Sequence, residues 1–143
     1  MNHFSDTSKK RLETCHKDLR VLFAHVVIDF DCTIVEGFRG ESEQNKAYDE
    51  GKSKLRFPNS KHNKRPSLAV DAAPFINGAI SWKHDDLLFF SGYVKGIADQ
   101  LYRMGVIGHR IRCGSDWDKD GAVSDETFRD EPHYEIIPNE RDV

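Results

Sequence analysis

The sequence predicts an α+β fold in which helices pack on a small, mostly antiparallel sheet. Three observations predict it. Two stretches carry apolar residues at helical spacings of three and four, and short β-branched runs lie between and after them. An Asn77-Gly78 pair between apolar residues is typical of a tight hairpin, because both central positions of a type I′ turn need positive φ. At 143 residues, the chain is expected to form a single domain over 1–143.

The first half of the chain is predicted to hold two helices and two strands. An apolar stripe from Leu12 to Val26 predicts the first helix, and the Val- and Ile-rich run after it predicts a strand that ends at Gly37. The elements predicted here are, in order, a helix over 7–25 with a break near His16, a strand over 26–35, a polar helix over 41–48 closed by Gly51, a long loop over 52–66 and a buried strand over 68–73.

The second half is predicted to contain the longest helix. Apolar residues recur at helical spacing over 85–104. One of the two aspartates that open this stretch is expected to be the N-cap, and the glycine that follows it is expected to end the helix. Two strands, over 109–113 and 134–137, are expected on either side of an acidic, Gly-containing loop.

Composition and charge argue against several classes of protein. The formal net charge is −3 and the sequence pI is about 6.1, which argues against non-specific nucleic-acid binding. No apolar stretch approaches the ~20 residues that span a bilayer, and residues 1–10 are too polar for a signal peptide. We therefore expect a cytosolic monomer without a membrane anchor. The cysteines are odd in number and widely spaced, so we expect buried thiols at Cys15, Cys32 and Cys113.

Two short segments carry the residue types of a metal site. His62 is followed nine residues later by Asp71 inside an apolar run, where an unpaired carboxylate would be costly. In the second segment, Asp130 precedes His133 by three residues. Two histidines and a carboxylate at neighbouring strand ends would supply three zinc ligands and leave the fourth position to water. Each residue also has an ordinary structural explanation, such as a satisfied histidine, a salt bridge of Asp71 with Arg39 or a turn capped by Asp130.

These segments together resemble a family of zinc peptidases. The stretches that carry the resemblance are Ser60-Lys61-His62 with Ala69-Val70-Asp71, Pro132-His133-Tyr134-Glu135, Gly37-Phe38-Arg39 with Gln44, and the runs 72–82 and 114–121. The first two resemble the family's SxHxxGxAxD … HxE signature and the third its G-[YF]-R-x4-Q segment. The family includes VanY-type D-alanyl-D-alanine carboxypeptidases and phage L-alanyl-D-glutamate endolysins, and it shares a fold with the hedgehog signalling domain. The resemblance spans about residues 10–137, where we expect the core of the domain.

The resemblance implies a zinc-dependent enzyme that acts on bacterial peptidoglycan. His62, Asp71 and His133 would bind Zn²⁺ and leave one position to water. Asp130 would then be the general base that takes the proton of this water and passes it to the leaving amine, with Glu131 as the competing residue.

Three further residues are implied on the substrate side. Arg39 would bind a substrate carboxylate or the developing oxyanion, since a guanidinium can do so bidentately. A structural salt bridge is the alternative for Arg39. Ser60 is expected to hydrogen-bond near the ligand histidine or the substrate. Gln44 would orient the Arg39 segment more than it would contact the substrate.

The sequence departs from the family pattern in one place. The histidine and the aspartate of the motif are nine residues apart instead of seven, and the motif glycine is not evident. We expect a longer loop over 63–68 and ligands that still converge. Trp82 and Trp117 are expected in the core or the cleft wall. The histidines with no ligand-like pattern are His3, His16, His25, His84 and His109.

An acidic loop suggests a second metal. Asp116, Asp118 and Asp120, followed by Gly121, match the opening of a calcium-binding loop, in which carboxylates at alternate positions converge on one ion. The twelfth position is Thr127 and not the usual bidentate glutamate. The alternative is therefore a solvated acidic turn without calcium.

The leading functional hypothesis is an endolysin that hydrolyses the L-alanyl-D-glutamate bond of the peptidoglycan stem peptide. One alternative is a D,D- or L,D-carboxypeptidase that acts on the D-alanine end of the same peptide. Another is a non-catalytic, zinc-binding, hedgehog-like module. Without a signal peptide, such an enzyme would stay in the host cytoplasm until a holin-like factor allowed it to reach the cell wall.

Overall fold

The computed structural model describes residues 1–116 and 130–140, which form four α-helices and five strands. The helices are α1 (Asp6–Glu13), α2 (Lys17–Asp29), α3 (Glu41–Asp49) and α4 (His84–Arg103), with a short 3-10 turn at Lys61–Asn63. The strands are β1 (Cys32–Glu36), β2 (Ala69–Ile76), β3 (Ala79–Ile80), β4 (Ile111–Cys113) and β5 (His133–Ile136).

The strands form one antiparallel sheet, which confirms the predicted α+β class. Its order is β1-β2-β5-β4, and the short strand β3 pairs with β2 through a hairpin. Asn77 and Gly78 have φ values of 53° and 83°, so the predicted tight turn is confirmed. The last strand of the chain, β5, lies in the interior of the sheet between β2 and β4. This order brings residues from distant parts of the sequence onto neighbouring strands.

The predicted break in the first helix is confirmed, but the next predicted strand begins too early. His16 caps α2, because its Nδ1 accepts a hydrogen bond from the backbone N–H of Asp18 at 3.0 Å. Residues 26–29 are helical, although their β-branched side chains favour a strand. Val26 and Val27 continue the apolar stripe of α2 into the core, so packing outweighs local propensity here.

Alternating side chains separate a core face of the sheet from an open face. Val70 and Tyr134 pair across β2 and β5 and are fully buried in the same core as residues of α2 and α4. Asp71 and His133, one residue away on each strand, therefore lie on the opposite face. The predicted zinc ligands on these two strands thus share the open face.

The predicted long helix and the buried cysteines are confirmed. The longest helix, α4, begins one residue earlier than expected, with Lys83 at its N-cap, and the glycine after it has a φ of +74°. The predicted aspartate cap was wrong: both aspartates lie in the first turn, where carboxylates interact favourably with the helix dipole. All three cysteines are buried and free. In the described part of the chain, no helix has the length and apolar character needed to cross a bilayer.

Candidate active site

Three potential metal ligands converge on the open face of the sheet. His62 comes from the 3-10 turn, Asp71 from β2 and His133 from β5, where it is the cross-strand partner of Asp71. Asp71 Oδ1 lies 3.3 Å from His62 Nε2 and 3.2 Å from His133 Nδ1. One donor atom from each residue lies within 4.8 Å of the others. The longer loop after His62 therefore does not keep these three residues apart.

The hydrogen bond on the far side of His62 aims its free nitrogen at this cluster. Its Nδ1–H donates to the carbonyl oxygen of Gly37 at 2.8 Å. The other nitrogen, Nε2, then keeps its lone pair, and it is buried without a hydrogen-bond partner among the described residues. Buried polar atoms are rarely left without one. A metal ion would satisfy this atom.

His133 is oriented in the same way by a buried carboxylate. Its Nε2–H donates to Glu135 Oε1 at 2.9 Å, which leaves Nδ1 facing Asp71. Glu135 also accepts from Lys61 Nζ at 2.8 Å and from Arg112 Nη2 at 2.7 Å. Partners of this kind on the outer nitrogen fix the tautomer and orientation of a metal-binding histidine. Glu135 is part of the matched HxE run, but its role behind His133 is not visible in the sequence.

Protonation in the cluster follows from these contacts. Burial would raise the pKa of Asp71, but the two neighbouring histidines outweigh it and hold this pKa well below its usual range. Burial would lower the pKa of His133, but its hydrogen bonds to Asp71 and Glu135 raise the pKa to about 9. In the metal-free protein, His133 Nδ1 therefore carries a proton at neutral pH, which a metal ion would displace. Two imidazole nitrogens and one carboxylate oxygen fit a catalytic zinc site with one open position.

Asp130 lies beside the donor cluster. Its Oδ2 is 3.8 Å from His133 Nδ1, and its side chain is 34% exposed to the cleft. Burial, and next the charge of Asp71, raise the pKa of Asp130 to about 6. Its backbone N–H donates to the carbonyl of Gly114 at 3.0 Å. A side chain at Gly114 would collide with the carbonyl of Asp130, so this glycine allows the close approach that places Asp130.

Glu131, the competing residue, is directed elsewhere. Its Oε1 lies 2.6 Å from His84 Nδ1 at the start of α4. This contact is the ion pair that Glu131 makes among the described residues. The geometry therefore supports Asp130 as the carboxylate that faces the donor cluster.

Arg39 lines the opposite side of the cluster. Its Nε forms an ion pair with Glu36, its Nη1 donates to Gln44 Oε1 at 3.0 Å, and its Nη2 lies 3.7 Å from Asp71 Oδ2. Gln44 is fully buried, and its amide also donates to the carbonyl of Leu55 at 2.6 Å. Gln44 thus holds Arg39 from behind, which supports the orienting role over a substrate contact. The pairing of Glu36 with Arg39 was not predicted from the sequence.

Ser60 caps the turn that carries His62. Its hydroxyl accepts a hydrogen bond from the backbone N–H of His62 at 3.2 Å, and its own N–H donates to Asn63 Oδ1 at 3.0 Å. Asn63 in turn donates to Gln44 and to the carbonyl of Arg39. The predicted substrate-side residues therefore form one network around the turn that carries His62.

A cleft of about 620 Å³ opens over this cluster. Its floor contains the three potential ligands and Asp130, and its far wall is formed by α3 and the segment after it. The side chains of that wall are mainly charged, and they include Glu43, Lys46, Glu50, Lys52 and Lys54. The donor cluster is thus accessible to a peptide-sized ligand with charged groups.

Several predicted or excluded residues lie away from the cleft floor. Asp116 is buried after β4, while Asp118, Asp120 and Trp117 lie outside the described residues, so the calcium site stays a prediction. Trp82 is 55% exposed and is not a core residue. A second group of histidines and an aspartate, which sequence patterns did not reveal, consists of His16, Asp18 and His109.

Comparisons with known proteins find similar peptidases. The family described as phage L-alanyl-D-glutamate peptidase matches residues 1–137. The L-alanyl-D-glutamate peptidase of Escherichia phage T5 is 31% identical over 139 residues, which cover 94% of this chain and 97% of that protein. Peptidoglycan L-alanyl-D-glutamate endopeptidase CwlK of Bacillus subtilis is 32% identical over 120 residues, or 76% of this chain and 62% of that protein.

A solved structure shares the fold. The crystal structure of the Serratia marcescens L-Ala D-Glu endopeptidase ChiX matches with a TM-score of 0.68 and 20% sequence identity. The match covers 95% of this chain and 91% of that one. The arrangement of helices and antiparallel sheet is therefore found in a solved protein.

Proposed function

Because the chain belongs to the phage L-alanyl-D-glutamate peptidase family, we propose that it hydrolyses the L-alanyl-D-glutamate bond in the stem peptide of bacterial peptidoglycan. The observation that carries the proposal is the convergence of His62 Nε2, Asp71 Oδ1 and His133 Nδ1 on the floor of an open cleft. A carboxylate with a raised pKa stands next to them. This combination suits hydrolysis of an amide bond.

These three atoms would hold Zn²⁺. Bound there, the metal would supply an acidified water, whose pKa falls from 15.7 to about 7 at catalytic zinc sites. The protein's own contribution is to aim the lone pairs inward, through the Gly37 carbonyl on one histidine and Glu135 on the other.

Asp130 would move the proton. Its carboxylate faces the cluster, so it can accept the proton of the attacking water and deliver it to the amine that leaves from D-glutamate. A base whose pKa lies near 6 is largely ionised at neutral pH and still returns the proton readily. Glu131 is held by His84 and would not take this role.

Arg39 would bind the anionic part of the reaction. Its guanidinium is held at the cleft wall by Glu36 and Gln44, next to Asp71. From this position it can bind a substrate carboxylate or the developing oxyanion. Ser60 and Gln44 would support this side by fixing the turn and the guanidinium.

The bond cut by the enzyme distinguishes the proposal from its alternatives. Purified peptidoglycan would be digested with the zinc-loaded protein, and the products analysed by mass spectrometry. We expect new N-terminal glutamate. Release of free D-alanine would instead indicate a carboxypeptidase, and no product would indicate a non-catalytic module.

We further infer that the chain acts as a monomer, because all site residues come from one chain, and that a holin-like factor gives it access to the wall.

A further inference from the structure

An exposed apolar strip lies on the same face of the sheet as the donor cluster. Phe75 and Ile80 are cross-strand partners on β2 and β3, with 37% and 38% of their surfaces exposed. Asp71 and Phe75 are four residues apart on β2, so their side chains share a face. Trp82 follows Ile80 by two residues and is 55% exposed. We refer to Phe75, Ile80 and Trp82 as the apolar strip.

The strip lies along the sheet edge that also holds the segment of Asp130. The backbone N–H of Ala72 donates to the carbonyl of Pro132, and the carbonyl of Pro74 accepts from the N–H of Ser81, both at 2.9 Å. Along a strand, the backbone N–H and C=O groups of successive residues point to opposite edges. Those of residues 72 and 74 therefore point to the same edge of β2. The start of β5 and the segment after β3 are therefore neighbours. The contact between His84, which follows β3, and Glu131, which precedes β5, is a second link between these two segments.

The distance along this edge is compatible with the covalent structure of the substrate. Asp71 and Phe75, the strip residue on the same strand, are four residues apart, which is about 13 Å along a strand. In peptidoglycan, only L-alanine and the lactyl group separate the cut carbonyl from the amino sugar. That link is as long as two extended residues, or about 7 Å, and the sugar ring extends beyond it. A sugar attached to the cut peptide would therefore lie between the donor cluster and the apolar strip and contact the strip with its far side.

Two cavities of the molecule differ in chemistry. The α3 side is lined mainly by charged groups, including Lys46 and Lys52. That side suits the carboxylate-rich peptide that follows D-glutamate. A separate cavity of about 300 Å³ lies against Trp82, and Asn77 and Lys83 also line it. An indole face with polar groups around it suits a sugar ring, which has apolar C–H faces and polar edges.

We propose that the apolar strip binds the N-acetylated amino sugar that carries the stem peptide, with the indole of Trp82 against the sugar ring. This inference rests on the proposed function, and it gives the substrate a direction in the cleft. The glycan lies over β3, the cut bond over the donor cluster, and the rest of the peptide along α3.

Two substrates of the zinc-loaded enzyme test this inference. One is an N-acetylated L-alanyl-D-glutamyl stem peptide, and the other is the same peptide on its disaccharide. We expect Trp82→Ala to lower kcat/KM for the sugar-bearing substrate about five- to tenfold, the size of one aromatic contact. The rate on the sugar-free peptide should stay within about twofold. Trp82→Phe should restore most of the loss.

Other outcomes are equally informative. An equal loss on both substrates would show that Trp82 contacts the peptide or supports the fold, and no loss on either would show no sugar contact. Both results overturn the inference. Phe89→Ala, which removes another exposed aromatic residue, on α4, is the matched control and should affect neither substrate.

A direct binding measurement separates this inference from the proposed function. The free disaccharide should shift the indole N–H resonance of Trp82 in the wild-type protein. If neither peptide is cut but this shift occurs, the proposed function fails and the sugar site stands. If the peptides are cut but the disaccharide leaves the Trp82 resonance unchanged, the sugar site is wrong.

Discussion

Two clusters in this protein contain two histidines and an aspartate, yet they are built for different purposes. His62, Asp71 and His133 lie on the cleft floor. In the other cluster, His16 and Asp18 at the start of α2 meet His109 from the segment before β4. In both clusters, one donor atom from each residue lies within 4.8 Å of the others. Residue type and proximity therefore do not distinguish them.

The direction of the ring nitrogens does distinguish them. In the cleft, the far nitrogens of both histidines donate to acceptors, so His62 Nε2 and His133 Nδ1 both face Asp71, where a metal ion could bind. In the second cluster, His16 Nδ1 already accepts from the backbone of Asp18. Asp18 Oδ2 accepts from the N–H of Gly108 at 3.0 Å and from His109 Nδ1 at 2.8 Å. We interpret this second cluster as a clamp that joins the start of α2 to the segment before β4.

The largest expected difference between the clusters concerns zinc itself. His62→Ala should lose the bound zinc and more than about 10³-fold in activity, because the acidified water depends on the metal. His109→Ala should keep about one zinc per chain and near-normal activity. Metal analysis and peptidoglycan digestion measure both. Zinc loss in His109→Ala, with zinc retained in His62→Ala, would reverse the assignment of the two clusters.

The second difference is a proton-accepting carboxylate. Asp130 lies beside the cleft cluster, 3.8 Å from His133 Nδ1, and not beside the cluster of His16, Asp18 and His109. Asp130→Asn should lower kcat by about 10²- to 10⁴-fold while zinc stays bound, as expected for loss of a general base. Glu131→Gln is the matched control and should change kcat less than about threefold, because this carboxylate contacts His84 and not the donor cluster. Equal losses in the two variants would contradict the choice of Asp130.

The buried carboxylate behind His133 should have a smaller effect. Glu135→Gln should weaken zinc binding about 10- to 100-fold, the usual effect of removing such a partner. Asp99→Asn, which changes a carboxylate that bridges Lys95 and Arg110, should leave zinc affinity unchanged. Competition with a chromophoric chelator measures both. Unchanged affinity in Glu135→Gln would mean that Glu135 only supports the fold.

The pH dependence of zinc binding gives the same variant a second readout. Zinc binds neutral imidazole, and the pKa of His133 in the metal-free protein is raised to about 9. Zinc affinity of the wild type should therefore rise about tenfold per pH unit from pH 7 and level off near pH 9. Glu135→Gln removes a group that raises this pKa, so its affinity should level off at a lower pH.

The smallest functional effect is expected in the clamp. Asp18→Asn should lower the free energy of unfolding by about 1–3 kcal/mol, because it weakens buried hydrogen bonds to charged or polar partners. Zinc content and kcat should stay the same. Chemical denaturation measures the stability, and a loss of bound zinc in this variant would show that the clamp also holds metal.

Most of the fold could be predicted from the sequence because its signals are local. The Asn77-Gly78 turn, the break at His16 and the long helix each follow from residues a few positions apart. The early start predicted for β1 shows the limit of such signals. The valines at 26 and 27 favour strands by themselves, but the core they reach was formed by distant residues.

Most of the candidate site could also be predicted, since its residue types and spacing resemble those of a known family. The structure adds the groups that orient them: Glu135, Glu36 and Gly114. Glu135 stood inside a matched motif but had no visible partner in the sequence. The group around Asp18 could not be seen at all, because 91 residues separate it from His109.

The sequence by itself determined the fold class, the hairpin and the identity of the three potential ligands. Only the tertiary structure decided which of two similar clusters lies on a cleft floor with one ring nitrogen of each histidine facing the aspartate. The physical reason is that a histidine's tautomer depends on the acceptor behind it. For His62, that acceptor is a carbonyl 25 residues away, brought there by the packing of the 3-10 turn against the end of β1.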